Sequence, residues 1–149
     1  MLSKLKDFNY PYQRFNVEEY RNHYLISDYS HHPSQIKYNL EQLQFYYKNH
    51  KKIAIFRPDR TSRLIYFKDR FINELNKYDY AFVLPLNNTE STLNHSAKEL
   101  ENDKIISINK IEDLFLFLPK NGKYCFSLMS SKNLKEEIHS LKEILDDFN

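Results

Sequence analysis

The sequence predicts an α/β fold in which a mostly parallel sheet carries helices on both faces and an antiparallel hairpin opens the chain. Short apolar segments alternate with longer segments whose apolar residues recur at helical spacing. Strands that alternate with helices favour a parallel sheet buried on both faces, because each crossover helix packs over the sheet. A chain of 149 residues is long enough for one such domain with a buried core.

The first part of the chain is expected to form a hairpin and then a helix. Strands are predicted at residues 12–19 and 23–28, with a turn over residues 19–22. Pro33 suits the first position of a helix, because the N–H that proline lacks would have no partner there. This helix is predicted to run to about Lys48, on apolar residues at helical spacing: Ile36, Leu40, Leu43 and Tyr47.

Strands and helices then alternate to the end of the chain. Further strands are predicted at residues 52–56, 80–84, 104–108 and 123–128. Further helices are predicted from apolar residues at helical spacing: Leu64, Phe67, Phe71 and Leu75; Ile111, Leu114, Phe115 and Leu118; and Leu134, Ile138, Leu141 and Leu145. The polar segment 87–102 is predicted to be a loop with a helix near residues 96–101.

The composition argues against several classes of protein. A net charge of +2, with basic residues scattered along the chain, does not indicate a nucleic-acid partner. The lone Cys125 excludes an intrachain disulfide, is typical of a reducing cytoplasm, and is expected to be structural because it lies in an apolar strand. Residues 1–7 lack a signal-peptide core and no apolar run is long enough to span a membrane, so a cytoplasmic protein without a membrane partner is predicted.

A single glycine, Gly122, limits the chemistry of the chain. Neither G-x-x-x-x-G-K-[ST] nor G-x-G-x-x-G is present, so the chain has no glycine-rich loop to hold phosphate groups. If ATP is used, the group that grips its phosphates must come from elsewhere.

Two polar clusters each stand between a predicted strand and a predicted helix. Residues 28–33 read D-Y-S-H-H-P, and residues 56–63 read F-R-P-D-R-T-S-R. Both are expected at the carboxyl edge of the parallel sheet, where such sheets bind ligands. The sequence therefore predicts one site built from an acid, histidines and arginines.

The acid and the histidines each allow two interpretations. Asp28 suits a ribose diol as a hydrogen-bond acceptor, or it caps the helix that begins near Pro33. His31 and His32 contact a ligand or transfer protons, or one packs inside and the other is solvated. A metal site is not expected, because adjacent histidine side chains diverge and no other ligands stand at suitable spacing.

Arg60 and Arg63 lie three positions apart at a predicted helix start and are expected to face the same way. Their guanidinium groups suit a carboxylate or phosphate, and the alternative is a solvated basic helix end. Ser30 and Ser62 lack the sequence of a nucleophile elbow, so no catalytic residue is expected in the chain alone.

Three segments resemble motifs of the C-terminal, third domain of the Mur ligases. Residues 27–36 read S-D-Y-S-H-H-P-S-Q-I, where the family carries D-D-Y-x-H-H-P-[TS]-E-[IV]. Residues 56–64 read F-R-P-D-R-T-S-R-L, where the family carries F-Q-P-H-R-[YF]-[ST]-R-T, and residues 13–16 are similar to the family's R-R-F-E. The spacing between the motifs agrees, and the resemblance covers nearly the whole chain, its second half in element order only.

The resemblance implies that residues 1–149 form a Rossmann-like, three-layer domain that closes over the central ATPase domain of a ligase. It implies an ATP-dependent, ADP-forming amide ligase of peptidoglycan precursor synthesis, most similar to those that join UDP-N-acetylmuramate to L-alanine. In that reaction a carboxylate is activated as an acyl phosphate and attacked by an amine, while Mg²⁺ offsets the phosphate charge.

The resemblance also implies roles for individual residues. Asp28 matches the acid that holds the ATP ribose, and His31 and His32 match histidines that line the closed site. Arg60 and Arg63 match arginines that face the amino acid and the muramyl substrate. Because the central ATPase domain and the N-terminal UDP-substrate domain are not in the chain, it is expected to be inactive alone and to bind neither ATP nor Mg²⁺ firmly.

Several positions depart from the family motifs. Ser27 replaces an acid and Asp59 a histidine, residues 87–90 lack the family's A-R-E, and residues 130–134 read S-S-K-N-L where the family carries G-A-G-x-I. A loop that needs positive φ does not readily accept serine and lysine. Two interpretations stay open: one domain of a longer ligase, or a free-standing, diverged relative that binds a nucleotide, an acidic ligand or a partner protein without catalysis.

Overall fold

The computed structural model describes residues 15–86 and 97–148, which form one six-stranded sheet with helices on both faces. The strands are β1 (Asn16–Tyr20), β2 (His23–Asp28), β3 (Lys51–Phe56), β4 (Tyr80–Val83), β5 (Ile105–Ser107) and β6 (Tyr124–Met129). The helices are α1 (Pro33–Tyr46), α2 (Thr61–Tyr66), α3 (Lys68–Leu75) and α4 (Lys135–Phe148), with 3₁₀ helices at Ala97–Leu100 and Ile111–Leu116.

The strand order is β1-β2-β6-β3-β4-β5. β1 and β2 are antiparallel, and the four other pairings between the described strands are parallel. The prediction of a mostly parallel sheet with an antiparallel N-terminal hairpin is therefore confirmed. The last strand of the chain lies between β2 and β3, so each of those strands has β6 as a neighbour.

The turn of the hairpin lies one residue later than predicted. β1 continues through Tyr20, and the two turn residues Arg21 and Asn22 have φ angles of 48° and 68°. Two-residue hairpin turns of this kind match the twist of the strands they join, which explains the shift. Residues 12–14, where the first strand was predicted to begin, lie outside the described residues.

The hairpin is attached to α4 by polar contacts. The Tyr20 hydroxyl and the Arg21 Nε both donate to Asp146 Oδ1, at 2.6 Å and 2.5 Å. Lys142 Nζ lies 2.5 Å from Glu18 Oε2. These exposed contacts connect the first described strand with the last helix.

The predicted helices differ from the observed ones in three places. The helix expected from Leu64 to Leu75 is divided at Phe67, which ends α2 and begins α3 with φ −106° and ψ 18°. The segments expected to be helical near residues 96–101 and over residues 111–118 are 3₁₀ helices instead. Both are too short to gain much from i→i+4 hydrogen bonds. The remaining predicted loop, residues 87–96, lies outside the described residues.

The central strands are apolar on both faces because the sheet has a core on each side. In β3, Ala54 and Phe56 pack on the side of α1, α2 and α3, whereas Ile53 and Ile55 pack on the side of α4. This alternation explains why β3 is a continuous apolar run rather than an alternating one.

Cys125 lies on the α1 side of this sheet and is fully buried. Burial raises the pKa of its thiol to about 12, so the thiol is protonated at neutral pH. This agrees with the structural role expected of it. None of the helices within residues 15–86 and 97–148 combines the length and the apolar character needed to cross a membrane.

Gly122→Ala is expected to destabilise the fold by about 1–3 kcal/mol through overpacking. A Cβ at Gly122 would collide with the ring and hydroxyl of Tyr124. That ring is buried against His23, and its hydroxyl donates to the carbonyl of Pro119. Urea unfolding measures the loss. In a Tyr124→Leu background the same change should cost much less, and equal losses in both backgrounds would contradict the explanation.

His23→Gln is expected to weaken the loss of stability that acid causes. His23 Nδ1 accepts the Tyr124 N–H at 3.2 Å, and burial, then the nearby His50, lower the pKa of His23 below its ordinary 6.5. As the pH falls below 6.5 the unfolded chain takes up a proton that the folded chain refuses, so the free energy of unfolding decreases.

The measurement is the free energy of unfolding of wild type and His23→Gln between pH 8 and pH 5. His139→Gln, which changes an exposed histidine on α4, is the matched control. An unchanged pH dependence in His23→Gln would show that His23 does not carry the effect.

Candidate functional site

Three loops begin side by side at the carboxyl edge of the sheet. β2 ends at Asp28, β6 at Met129 and β3 at Phe56. The Ser130 N–H donates to the Asp28 carbonyl at 3.1 Å, and the Arg57 N–H donates to the Met129 carbonyl at 3.0 Å. The two polar clusters therefore lie at the same edge, as predicted, with the loop after β6 between them.

The Asp28 carboxylate is held by groups from the chain itself. Asp28 is 8% exposed, and its Oδ2 accepts from Ser30 Oγ and from Asn39 Nδ2, both at 2.8 Å. Its Oδ1 accepts the N–H of Phe15 at 3.3 Å. Asp28 does not cap α1, because the N-cap of that helix is His32.

A buried polar network extends from Asp28 into the core. Asn39 Oδ1 accepts from the Tyr78 hydroxyl at 2.8 Å and from Ser127 Oγ at 2.7 Å. Burial raises the pKa of Tyr78 well above its usual value, and the charge of Asp28 adds to this, so the hydroxyl keeps its proton. The sequence analysis missed this network. Its one signal was Asn39, a polar residue on the otherwise apolar face of α1.

A pocket of about 240 Å³ opens next to Asp28. Its lining combines three aromatic residues with five polar ones: Phe15, Tyr29 and Tyr38, and Asp28, Ser30, Gln35, Asn39 and Gln42. An aromatic wall beside a carboxylate and several amides is suited to a ligand that carries both a flat ring and hydroxyl groups.

His31 and His32 each form a hydrogen bond through the ring nitrogen Nδ1. His31 Nδ1 lies 2.9 Å from the Tyr29 carbonyl, which accepts only, so Nδ1 carries a proton and donates it to that carbonyl. His32 Nδ1 accepts the Ser34 N–H at 3.4 Å as the N-cap of α1, so its proton is on Nε2. Burial lowers the pKa of His32, and Arg70, Arg63 and His31 lower it further.

The loop after β2 contacts the junction of α2 and α3 through His32. Its ring packs edge-on against Phe67, with centroids 4.5 Å apart, and the guanidinium of Arg70 lies over the same Phe67 ring. Arg63 is near enough to affect the pKa of His32. Arg60 is exposed as the N-cap residue of α2. His31 and His32 do not line the pocket beside Asp28.

The arginines near the site differ in whether they form an ion pair within the domain. Arg57 forms an ion pair with Glu137 in the first turn of α4, and both side chains are mostly buried. No ion pair between described residues involves Arg60, Arg63 or Arg70. The unpaired guanidinium groups suit an anionic ligand, and Arg70 is a residue that the sequence analysis did not select.

The loop after β6 does not need glycine. Ser130 is buried and its Oγ accepts the Lys132 N–H at 3.1 Å, while Asn133 Oδ1 accepts the Lys135 N–H at 2.8 Å. Among the described residues φ is positive only at Phe15, Arg21 and Asn22, so serine and lysine fit this loop without backbone strain.

The described residues contain no group of three or more His, Cys, Asp or Glu side chains that could hold a metal ion. The pocket and the free acceptor capacity of Asp28 fit an organic ligand with hydroxyl groups, such as a nucleotide.

The chain is similar in sequence to bacterial ligases. It is 33% identical over 100 residues to a UDP-N-acetylmuramate–L-alanine ligase of Limosilactobacillus reuteri, a match to 66% of this chain and 23% of that protein. It is 31% identical over 114 residues to the ligase of the same name from Pseudothermotoga lettingae, which corresponds to 74% of this chain and 26% of that protein. No family model matches the chain. The chain spans about a quarter of the length of these relatives.

Solved structures share the fold. The UDP-N-acetylmuramate-alanine ligase of Thermotoga maritima superposes with a TM-score of 0.69 at 20% identity, over 99% of this chain and 33% of that one. The MurF ligase of the same organism, in complex with ADP, gives 0.66 at 18% identity, over 99% and 34%. A folylpolyglutamate synthase/dihydrofolate synthase of Yersinia pestis, complexed with AMPPNP and a Mn ion, gives 0.61 at 16%, over 94% and 32%.

The fold and the sequence matches define the chain as a member of the Mur ligase family that corresponds to the C-terminal domain of those enzymes. Within the family, the relatives matched by sequence are UDP-N-acetylmuramate–L-alanine ligases. The expectation drawn from the motif resemblance is thereby confirmed at the level of the family.

Arg57→Met is expected to destabilise the fold by about 2 kcal/mol, because Glu137 would be left mostly buried without its cation. Arg57→Met combined with Glu137→Met should regain most of this loss, since no charge is then unpaired. Arg21→Met, which breaks the pair with Asp146 that is exposed on both sides, is the control and should cost far less. Urea unfolding at neutral pH checks all of these variants. A loss in the double variant as large as in Arg57→Met would contradict the assignment.

Proposed function

We propose that the chain is the C-terminal domain of an ATP-dependent, ADP-forming ligase that joins UDP-N-acetylmuramate to L-alanine in peptidoglycan precursor synthesis. In this role it closes over ATP held by a central domain and positions the amino acid. It does not ligate alone, because it has no glycine-rich loop for the phosphates of ATP. The reaction takes place in the cytoplasm, a reducing compartment in which a free cysteine such as Cys125 is usual.

The observation that carries the proposal is the pocket beside Asp28, at the edge where parallel sheets bind ligands. Oδ1 of Asp28 has one internal donor, the Phe15 N–H, and a carboxylate oxygen accepts two hydrogen bonds. A ribose hydroxyl is the kind of donor that this remaining capacity suits. The aromatic residues Tyr29 and Tyr38 provide flat surfaces in the same pocket.

The second loop supplies the positive charge. Arg60 and Arg63 would bind the carboxylate of the amino acid or the acidic groups of the muramyl substrate. His31 and His32 would line the closed site, each with Nδ1 engaged inside the domain and Nε2 left for a ligand. Mg²⁺, bound with ATP, would offset the charge of the phosphates.

Titration of the isotope-labelled chain with ATP and Mg²⁺, followed by NMR, tests the nucleotide site. Millimolar ATP is expected to shift the signals of residues around the pocket, and Asp28→Asn is expected to weaken this binding by about tenfold, the effect of losing a charge-assisted hydrogen bond. Asp147→Asn, on the exposed side of α4, is the matched control. No shift at the pocket in wild type, or equal binding by Asp28→Asn, would contradict the proposal.

A second candidate function is that of a free-standing domain that binds a nucleotide, an acidic ligand or a partner protein without catalysis. The observation that favours it is Asp59, which places a carboxylate beside Arg60 where the family motif has a histidine. The mass of the native protein in cell extract separates the two candidates. A species much heavier than 18.1 kDa supports the ligase domain, and a species of 18.1 kDa supports the free-standing one.

A further inference from the structure

Asn39 stands between Asp28 and the core of the molecule, and no sequence motif points to it. We propose that Asn39 is a positioning residue, which fixes the Asp28 carboxylate so that one oxygen is held inside the domain and the other is presented to the pocket. This inference rests on the proposed function for the ligand and on the hydrogen bonds of the domain for the geometry.

The side chain of Asn39 has one favourable orientation. Asn39 is 1% exposed, and its Oδ1 faces two hydroxyl donors, Tyr78 at 2.8 Å and Ser127 at 2.7 Å. Its Nδ2 donates to Asp28 Oδ2, 2.8 Å away, and this contact fixes the orientation because a carboxylate only accepts whereas a hydroxyl can donate or accept. Turning the amide over would set its oxygen against the carboxylate, and two acceptors at that distance repel each other.

As a consequence, the two oxygens of the Asp28 carboxylate have different numbers of hydrogen-bond partners. Oδ2 is saturated by Asn39 and Ser30, whereas Oδ1 has only the Phe15 N–H at 3.3 Å among the described residues. Both Asp28 and Asn39 line the pocket. The carboxylate thus meets a ligand in one rotamer and loses no conformational freedom on binding.

The network also ties this rotamer to the rest of the fold. Asn39 belongs to α1, Ser127 to β6, and Tyr78 lies just before β4. The Tyr78 hydroxyl is also 3.0 Å from the carbonyl of Ile36, on α1. The position of the carboxylate is therefore set by one helix, by β6 and by the segment that leads into β4.

Asn39→Asp provides a test with its own pH signature. Two carboxylates would then face each other and share a proton, and the pKa of one member of such a pair is strongly raised. At pH 8 the repulsion should displace Asp28 and weaken ATP binding by about tenfold or more. At pH 5.5 a proton between the two carboxyl groups should restore the hydrogen bond and most of the affinity. Wild type and the exposed control Asn121→Asp should show no such recovery.

The exchange variant Asp28→Asn with Asn39→Asp separates the geometry from the ligand. In this variant the carboxylate at position 39 still accepts from Tyr78 and Ser127. The amide at position 28 donates to that carboxylate, so the hydrogen bond between positions 28 and 39 is kept with its direction reversed. Its urea midpoint at pH 8 should return close to that of wild type, well above that of Asn39→Asp. ATP binding should stay weak, because the carboxylate has left the pocket.

The outcomes decide between the claims. Weak binding by Asn39→Asp at pH 8, recovery at pH 5.5 and a stable exchange variant support the inference. Wild-type ATP affinity in Asn39→Asp at pH 8, or an exchange variant as unstable as Asn39→Asp, overturns it. If wild type binds no ATP at either pH, the proposed function fails. The midpoint of the exchange variant then decides by itself whether Asn39 fixes the carboxylate.

Discussion

The parallel pairing of β6 with both β2 and β3 is the constraint on which the candidate site depends. β6 comes last in the chain but lies at the centre of the sheet, and its backbone binds the ends of both neighbours through Ser130 and Arg57. Without β6 the strands β2 and β3 would have no common neighbour, and the loops that follow them would not meet at one edge. With it, an acid, two histidines and two arginines share one edge.

Sequence periodicity predicted this architecture because the two cores impose their pattern on the strands. β3 and β6 are apolar runs since both faces are covered, and α1 and α4 carry apolar residues at helical spacing. The break at Phe67 could not be predicted in the same way. The apolar spacing continues across it, and what differs is the backbone of one residue. The short 3₁₀ helices were missed for a related reason, since a few apolar residues fit either helix.

The site was predicted in part. Asp28 was found because it follows a strand and stands in a motif, but its partners Asn39, Tyr78 and Ser127 are distant in sequence and of common types. The hydrogen bonds between these residues form only when the chain folds, so no local pattern in the sequence indicates them. Arg57 shows that neighbours in sequence need not share a role in the folded domain. It stands among the basic residues of the second cluster, yet its charge is used inside the domain by Glu137. Equally, the lack of glycine in the loop after β6 has no structural cost, because no residue there needs a positive φ.

The backbone of Phe15 gives the carboxylate a connection to the start of β1. Phe15 has a φ of 47°, and this left-handed conformation directs its N–H at Asp28 Oδ1. Phe15 and Asp28 both line the pocket. A ligand that binds Oδ1 would share this atom with a peptide N–H, so any rotation of the backbone at residue 15 would change the hydrogen bonding that the ligand meets there. The φ angle of Phe15 would in this way influence the strength of a hydrogen bond that Asp28 makes to another molecule.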